Sequence, residues 1–164
     1  MIRHYIPQTT FTSLIVQLIL SRIDNCNIVL IGLPKQQINC LQLVVNAAAR
    51  LINGSSRYDH ITPLLSDLHW LRVPERIEYK ICLLVYKCIH GLAPTYLSDG
   101  IKPVCSLQSR RRLRSSTSLD VLVPATKTKM GNSAFSMWGS TTWNKLPISM
   151  CLSVTLAIFK TRLN

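Results

Sequence analysis

Residues 58–97 read YDHITPLLSDLHWLRVPERIEYKICLLVYKCIHGLAPTYL, and their spacing decides the fold. From Pro74 onward, Ile77, Ile81, Leu84, Val85 and Cys88 recur three and four residues apart. That is the stripe of a helix lying on a core. Glu75 and Glu78 fall in its first turn and Lys87 and His90 in its last, matching the helix dipole at both ends. Gly91 predicts its end, so the helix runs over 74–90. Upstream, Thr62-Pro63 reads as a cap followed by proline at the first helical position, opening a short helix over 62–69. Ala93-Pro94 starts another short one over 94–98.

Helical spacing continues toward the N-terminus. Ile38, Leu41, Val45, Ala48 and Ile52 form a buried stripe that predicts a helix over 36–53. Ala47, Ala48 and Ala49 favour the helix and admit a close neighbour, and Gly54 predicts the stop. A first helix is expected over 10–31 with Leu14, Leu18, Ile28 and Ile31 inside, ended by Gly32-Leu33-Pro34.

Beyond Asp99 the pattern changes. Pro103, a serine cluster and the run RRRLR predict a loop or exposed arm over 100–130. LDVLV at 119–123 is a short β-type run stopped by Pro124. Phe135, Met137, Trp138 and Trp143 predict a helix over 131–144, broken at Pro147. Ser153 is placed to cap a last helix through Leu163, with Leu156 and Phe159 facing inward. The organisation read from this pattern is a helical core over 1–99, a basic arm with a short strand over 100–130, and C-terminal helices over 131–164. These form one folded unit. The fold class is mainly α, a compact multi-helix bundle with at most a small β-hairpin in the C-terminal third.

The 164 residues are 48% hydrophobic and 16% charged. The chain can therefore bury a core and is no disordered tail, and part of its apolar surface is expected to meet a partner. The net charge is +12. It is lopsided: residues 1–99 hold nine Lys/Arg against six Asp/Glu, whereas residues 100–164 hold ten against Asp120 alone. A cationic surface without acidic partners suits a polyanion, most simply RNA or DNA. Cys26, Cys40, Cys82, Cys88, Cys105 and Cys151 show no C-x-x-C spacing, which predicts reduced thiols in an intracellular protein. The apolar run Leu14–Leu20 is far shorter than the roughly 20 residues that span a bilayer, so no membrane association is expected. MIRHY is not followed by a signal-peptide cleavage site.

Residues for chemistry are scarce. Two-metal catalysis needs converging carboxylates, but the seven acids are scattered, and Asp59, Asp67, Glu75 and Glu78 each suit a turn, cap or helix start. Cys82, Cys88 and His90 come nearest to a zinc pattern, yet residues six apart on one helix face different ways. His60 and His69 flank a short helix and read as cap or packing residues. There is neither a G-x-S-x-G elbow nor a P-loop. Asn53-Gly54-Ser55 matches a glycosylation sequon but reads as a helix end. No catalytic residue, metal, cofactor or small-molecule substrate is assigned.

The segments SRIDNCN (21–27), GLP (32–34), LQLVVNAAARLING (41–54), YDHITPLLSDLHWL (58–71), RIEYKICLLVYKCIHGLAPTYLSD (76–99), RRLRSS (111–116), WNKLP (143–147) and FK (159–160) occur in that order. As an ordered set, they resemble the C-terminal region of the reverse transcriptase polyprotein of LINE-type (non-LTR) retrotransposons, of the jockey and chicken-repeat kind. The likeness runs from about Arg3 to the end. Asn25, Leu43, Val45, Arg72, Ser140 and Thr142 depart from the usual wording. The resemblance implies a region downstream of the polymerase palm and thumb, without the F/Y-x-D-D carboxylates or the endonuclease. The chain is then a non-catalytic tail fragment of an RNA-directed DNA polymerase, or a decayed copy of one.

Within such a region, Arg110, Arg111, Arg112 and Arg114, flanked by serines and widened by Lys102, Lys127 and Lys129, are the candidate nucleic-acid contacts. Guanidinium forks bind phosphates bidentately, and an arm can follow a backbone without reading bases. Trp138 and Trp143 could stack on bases, although their spacing with Phe135 favours the core. The competing readings of this run are a solvated loop or a basic surface that docks on the rest of the polyprotein, and of the chain a structural module that packs on the polymerase thumb with no direct nucleic-acid role.

Overall fold

The computed structural model describes residues 6–25, 27, 29–106 and 119–163, and its fold is mainly α. The elements are α1 (Gln8–Ile15), a π-helical turn (Val16–Leu20), α2 (Ser21–Asn25), α3 (Lys35–Asn53), α4 (Ile61–Asp67), α5 (Val73–Ile89) and α6 (Thr95–Ser98). A 3₁₀ turn (Val104–Ser106), α7 (Lys129–Asn132), α8 (Phe135–Trp143), α9 (Ile148–Cys151) and α10 (Leu156–Leu163) follow. The chain divides into two compact units, Met1–Ile77 and Glu78–Asn164, with the division inside α5.

In the first unit, Ile15, Ala48 and Ile52 form a buried cluster, with Phe11, Ile19, Leu68 and Trp70 packed on it. The helical stripe of α3 is its floor: Val45, Ala48, Ala49 and Ile52 are buried, whereas Ile38 and Leu41 are half-buried. The first helix departs from its expected face. Leu14 and Leu18 are exposed, and Ile15, Leu20 and Ile23 are buried instead. The π turn explains the change. Its wider winding brings residues five apart onto one side, so Ile15 and Leu20 both face inward. The helical path ends at Asn25. There the Asp24 carboxylate receives Arg76 Nε at 2.5 Å and Nη2 at 3.0 Å.

Three helix ends share one device. Ser55 N–H bonds to Arg50 O after Gly54 (φ 67°), and Leu92 N–H bonds to Lys87 O after Gly91 (φ 68°). Both are Schellman endings, in which the left-handed residue is ordinarily glycine. After α4 the same pattern appears, with Trp70 N–H on Leu65 O at 2.8 Å and His69 N–H on Ser66 O at 3.0 Å. Here the left-handed residue is His69, at φ 53°. Thr62 lies inside α4 rather than capping it, because Ile61 is already helical. At the start of α5, the Glu75 carboxylate accepts the Arg72 N–H at 3.2 Å, half of a capping box. Gln42 Oε1, from α3, accepts the Val73 N–H at 2.7 Å. Two orphan donors of the helix start are thereby satisfied.

The second unit is built on aromatic packing. Tyr86 stacks on Phe159 with ring centroids 4.6 Å apart, and Trp143 lies 5.8 Å from Phe159. All three are almost wholly buried. Burying a side chain such as Phe159 contributes about 1.5–3 kcal/mol. The Tyr86 hydroxyl donates to the Ser153 carbonyl at 2.9 Å, so its polar end is paired inside the core. The buried face of α5 adds Ile81, Cys82, Val85 and Cys88. Gly139 is needed on α8: a Cβ there would stand 2.9 Å from Val85 Cγ2. The last helix starts from Thr155, whose Oγ1 accepts the Ile158 N–H at 3.3 Å. Ser153, expected as that cap, is buried instead.

The β-type run at 119–123 forms one antiparallel bridge between Pro103 and Val121, and no strand is present among the described residues. Val104 N–H bonds to Asp120 O, and Leu122 N–H to Lys102 O, both at 2.8 Å. The other edge of Val121 is taken by the Asn144 side chain, with Val121 N–H on Oδ1 at 3.0 Å and Nδ2 on the Val121 carbonyl at 2.9 Å. With both edges occupied, Val121 has no backbone group left to pair in a hairpin over 119–130.

Candidate nucleic-acid interface

The described ends of the segment that carries the candidate cations are held by their backbone. Lys102 uses its carbonyl in the bridge to Leu122, and its side chain is exposed. Five residues beyond Leu122 comes Lys127, also exposed. Five residues of chain span at most roughly 18 Å, which bounds how far Lys127 stands from the Lys102–Leu122 hydrogen bond. A braced turn follows. Thr128 Oγ1 accepts the Gly131 N–H at 3.0 Å, and the Thr128 carbonyl accepts the Asn132 N–H at 3.0 Å. The Thr126 hydroxyl donates to Asn132 Oδ1 across the same turn. Lys129 is placed by its backbone as the first residue of α7. Thr126, Thr128 and Asn144 thus position the segment, a role the sequence did not signal, because hydroxyl and amide caps have no periodicity.

Arg110, Arg111, Arg112 and Arg114 lie outside the described residues. Among the described residues, Lys102 and Lys127 are exposed, and Lys129 opens α7. An exposed ammonium group would meet a phosphate as a point charge, without the planar fork of arginine. The acid of this third, Asp120, spends its carbonyl on the bridge, and its charge helps raise the Cys151 thiol pKa, second to burial.

The other sequence candidates have structural employment. Cys82 and Cys88 are buried. Burial, then the Glu78 carboxylate, then Cys151 push the Cys82 thiol up to about 12. Burial likewise raises Cys88, against a hydrogen bond from Ser98 that lowers it. Thiols held protonated in this way are poor nucleophiles and poor metal ligands. His90 stacks on Tyr86 at 4.1 Å between centroids. Among the described residues, no group of three or more His, Cys, Asp or Glu side chains is arranged to hold a metal ion. Asp59 accepts the Ser56 N–H at 2.7 Å within a turn. His60 precedes α4 without a side-chain cap bond.

The two tryptophans separate. Trp143 is 2% exposed, and its indole N–H donates to the Leu119 carbonyl at 3.1 Å. Trp138 is 39% exposed. Only Trp138 retains a face that a base could meet. Among the described residues, no helix is long and apolar enough to cross a membrane. No protein-family model, curated protein or solved structure matches the chain.

Proposed function

We propose that this chain is the region following the thumb of a LINE-type RNA-directed DNA polymerase and acts, inside the cell, as a non-catalytic module that holds RNA or DNA. The observation that carries the reading is charge: ten Lys/Arg against Asp120 over residues 100–164. The ordered sequence landmarks support the family assignment. The exposure of Lys102 and Lys127 on a braced backbone supports the surface assignment. The contacts go to phosphate, so the module binds without reading base sequence.

Anisotropy of a fluorescein-labelled single-stranded RNA, titrated at rising KCl, tests this. If all seven cations from Lys102 to Lys129 meet phosphates, log Kobs against log salt has a slope approaching about −5. Replacing Arg110, Arg111, Arg112 and Arg114 by Ala reduces both affinity and slope. Absence of binding at low salt overturns the reading. It would leave the second one, packing against the polymerase, which the exposed Leu43, Val44 and Leu51 on α3 favour.

A further inference from the structure

Helix α8 carries one exposed ring on a fixed support. Trp138 is 39% exposed, whereas Trp143 is buried and donates its indole N–H to the Leu119 carbonyl. The helix is held on two sides. A Cβ on Gly139 would meet Val85 Cγ2 at 2.9 Å, and Asn144, just past the helix, grips both backbone groups of Val121. The same Cβ position lies 3.4 Å from Ile101 Cδ1, so the chain passes α8 immediately before exposed Lys102. Trp138 is the one exposed residue of Phe135–Trp143, and Ala134, Thr141 and Thr142, about a turn away on either side, are half-buried. It is a lone ring and no part of an apolar stripe.

The ring stands close to the other described lysines. Every Cα–Cβ bond of a helix tilts toward its N-terminus, and on α8 that end is joined to the turn around Thr128. Trp138 N–H bonds to Ala134 O at 3.2 Å, Ala134 N–H to Gly131 O at 3.1 Å, and Gly131 N–H to Thr128 Oγ1 at 3.0 Å. Each such turn spans less than about 7 Å between Cα atoms, so Trp138 lies within roughly 20 Å of Thr128. Exposed Lys127 and Lys129, which opens α7, flank Thr128 in the chain. A strand advancing about 3.4 Å per nucleotide covers roughly 20 Å in about six nucleotides.

We propose that Trp138 is a base-stacking residue and that the module takes single-stranded rather than duplex nucleic acid. The inference rests on the reading of the basic segment as a phosphate-binding surface and adds what that surface selects. An indole face stacks on the π-face of any base. A duplex hides those faces between neighbouring pairs, whereas an unpaired strand splays a base out while its phosphates stay with the lysines. A protein partner would instead need a cluster of apolar side chains around the ring, and the residues beside Trp138 are half-buried alanine and threonines.

The test uses the full chain and a short fluorescein-labelled RNA, presented as a single strand and annealed to its complement, with anisotropy read at low KCl. The single strand is expected to bind more tightly than the duplex. Trp138→Ala should weaken single-strand binding at least about fivefold. It should leave the duplex affinity and the salt slope unchanged, because the phosphate contacts remain. Trp138→Phe should lose less. Unlabelled single strand should quench tryptophan emission in the native protein but not in Trp138→Phe, which retains only the inward-packed Trp70 and Trp143. Trp138 is exposed, and an unchanged melting temperature verifies that both variants fold. Equal affinity for the two RNAs overturns the proposal, as does single-strand binding indifferent to Trp138→Ala, or quenching that survives in Trp138→Phe. Those outcomes leave the phosphate-binding reading standing. Absence of binding to either RNA overturns that reading and this inference with it.

Discussion

Asn144 pairs through its side chain with both backbone groups of Val121, accepting at 3.0 Å and donating at 2.9 Å. One amide thus stands in for a neighbouring strand and holds the segment leading to Lys127. Because Val121 is 2% exposed, losing that partner strands two buried polar groups. Asn144→Ala is therefore expected to destabilise the protein by about 1–3 kcal/mol. Asn144→Asp keeps the acceptor but sets a carboxylate against the Val121 carbonyl, and should be no better. Urea midpoints at unchanged slope measure both.

His69 occupies a left-handed position that its own side chain disfavours. The Schellman bonds of Trp70 and His69 hold it there. Since the left-handed region costs a non-glycine residue about 1–2 kcal/mol, His69→Gly should raise stability by about 1 kcal/mol, the freer unfolded glycine offsetting part of the gain. A β-branched residue such as Val should lower it. Thermal melts of the three proteins give the order.

Gly139 sits in the middle of α8, where alanine would favour the helix by about 1 kcal/mol. A Cβ there would lie 2.9 Å from Val85 Cγ2 and 3.3 Å from Phe135 Cε2. Val85 is fully buried and stiff at χ1, so it cannot swing aside. Overpacking should win, and Gly139→Ala should cost about 1–3 kcal/mol. Adding Val85→Ala should recover part of that loss, giving a non-additive double-mutant cycle.

Cys82 links stability to alkaline pH. Its thiol is raised from 9.0 to about 12, chiefly by burial. Between those values the unfolded chain has lost the proton while the folded chain keeps it. Unfolding therefore releases a proton, and stability falls as pH rises across that window, by at most about 1.4 kcal/mol per pH unit. Cys82→Ala should flatten this slope. Iodoacetamide at neutral pH should label exposed Cys40 and Cys105 well before Cys82.

Much of the helical architecture is legible residue by residue. Gly54 and Gly91 end helices where glycine permits a left-handed turn, and of the expected α5 stripe Ile77, Ile81, Val85 and Cys88 are buried, whereas Leu84 is half-buried and Cys82 and Tyr86 join the buried face. The first helix was legible only in part. A π turn is not visible in apolar spacing, and it exchanged Leu14 and Leu18 for Ile15 and Leu20 on the buried face. The run LDVLV carried a β signal, yet its partners were set by Pro103 and Asn144, both remote in sequence. Of the candidate interface, the cations were legible as charge. The turn around Lys127 and Lys129, through Thr126, Thr128 and Asn132, was not.

The sequence by itself determined that the chain is mainly helical, where α3 and α5 lie, and that its positive charge gathers after residue 100. Those properties follow from local periodicity, glycine and proline geometry, and counting. Tertiary structure alone decided which aromatic rings are core, which thiols are held protonated, and what pairs with Val121. It also decided that Trp138 stands exposed on α8. Burial and hydrogen-bond pairing depend on residues distant in the chain, and local spacing carries no record of that distance.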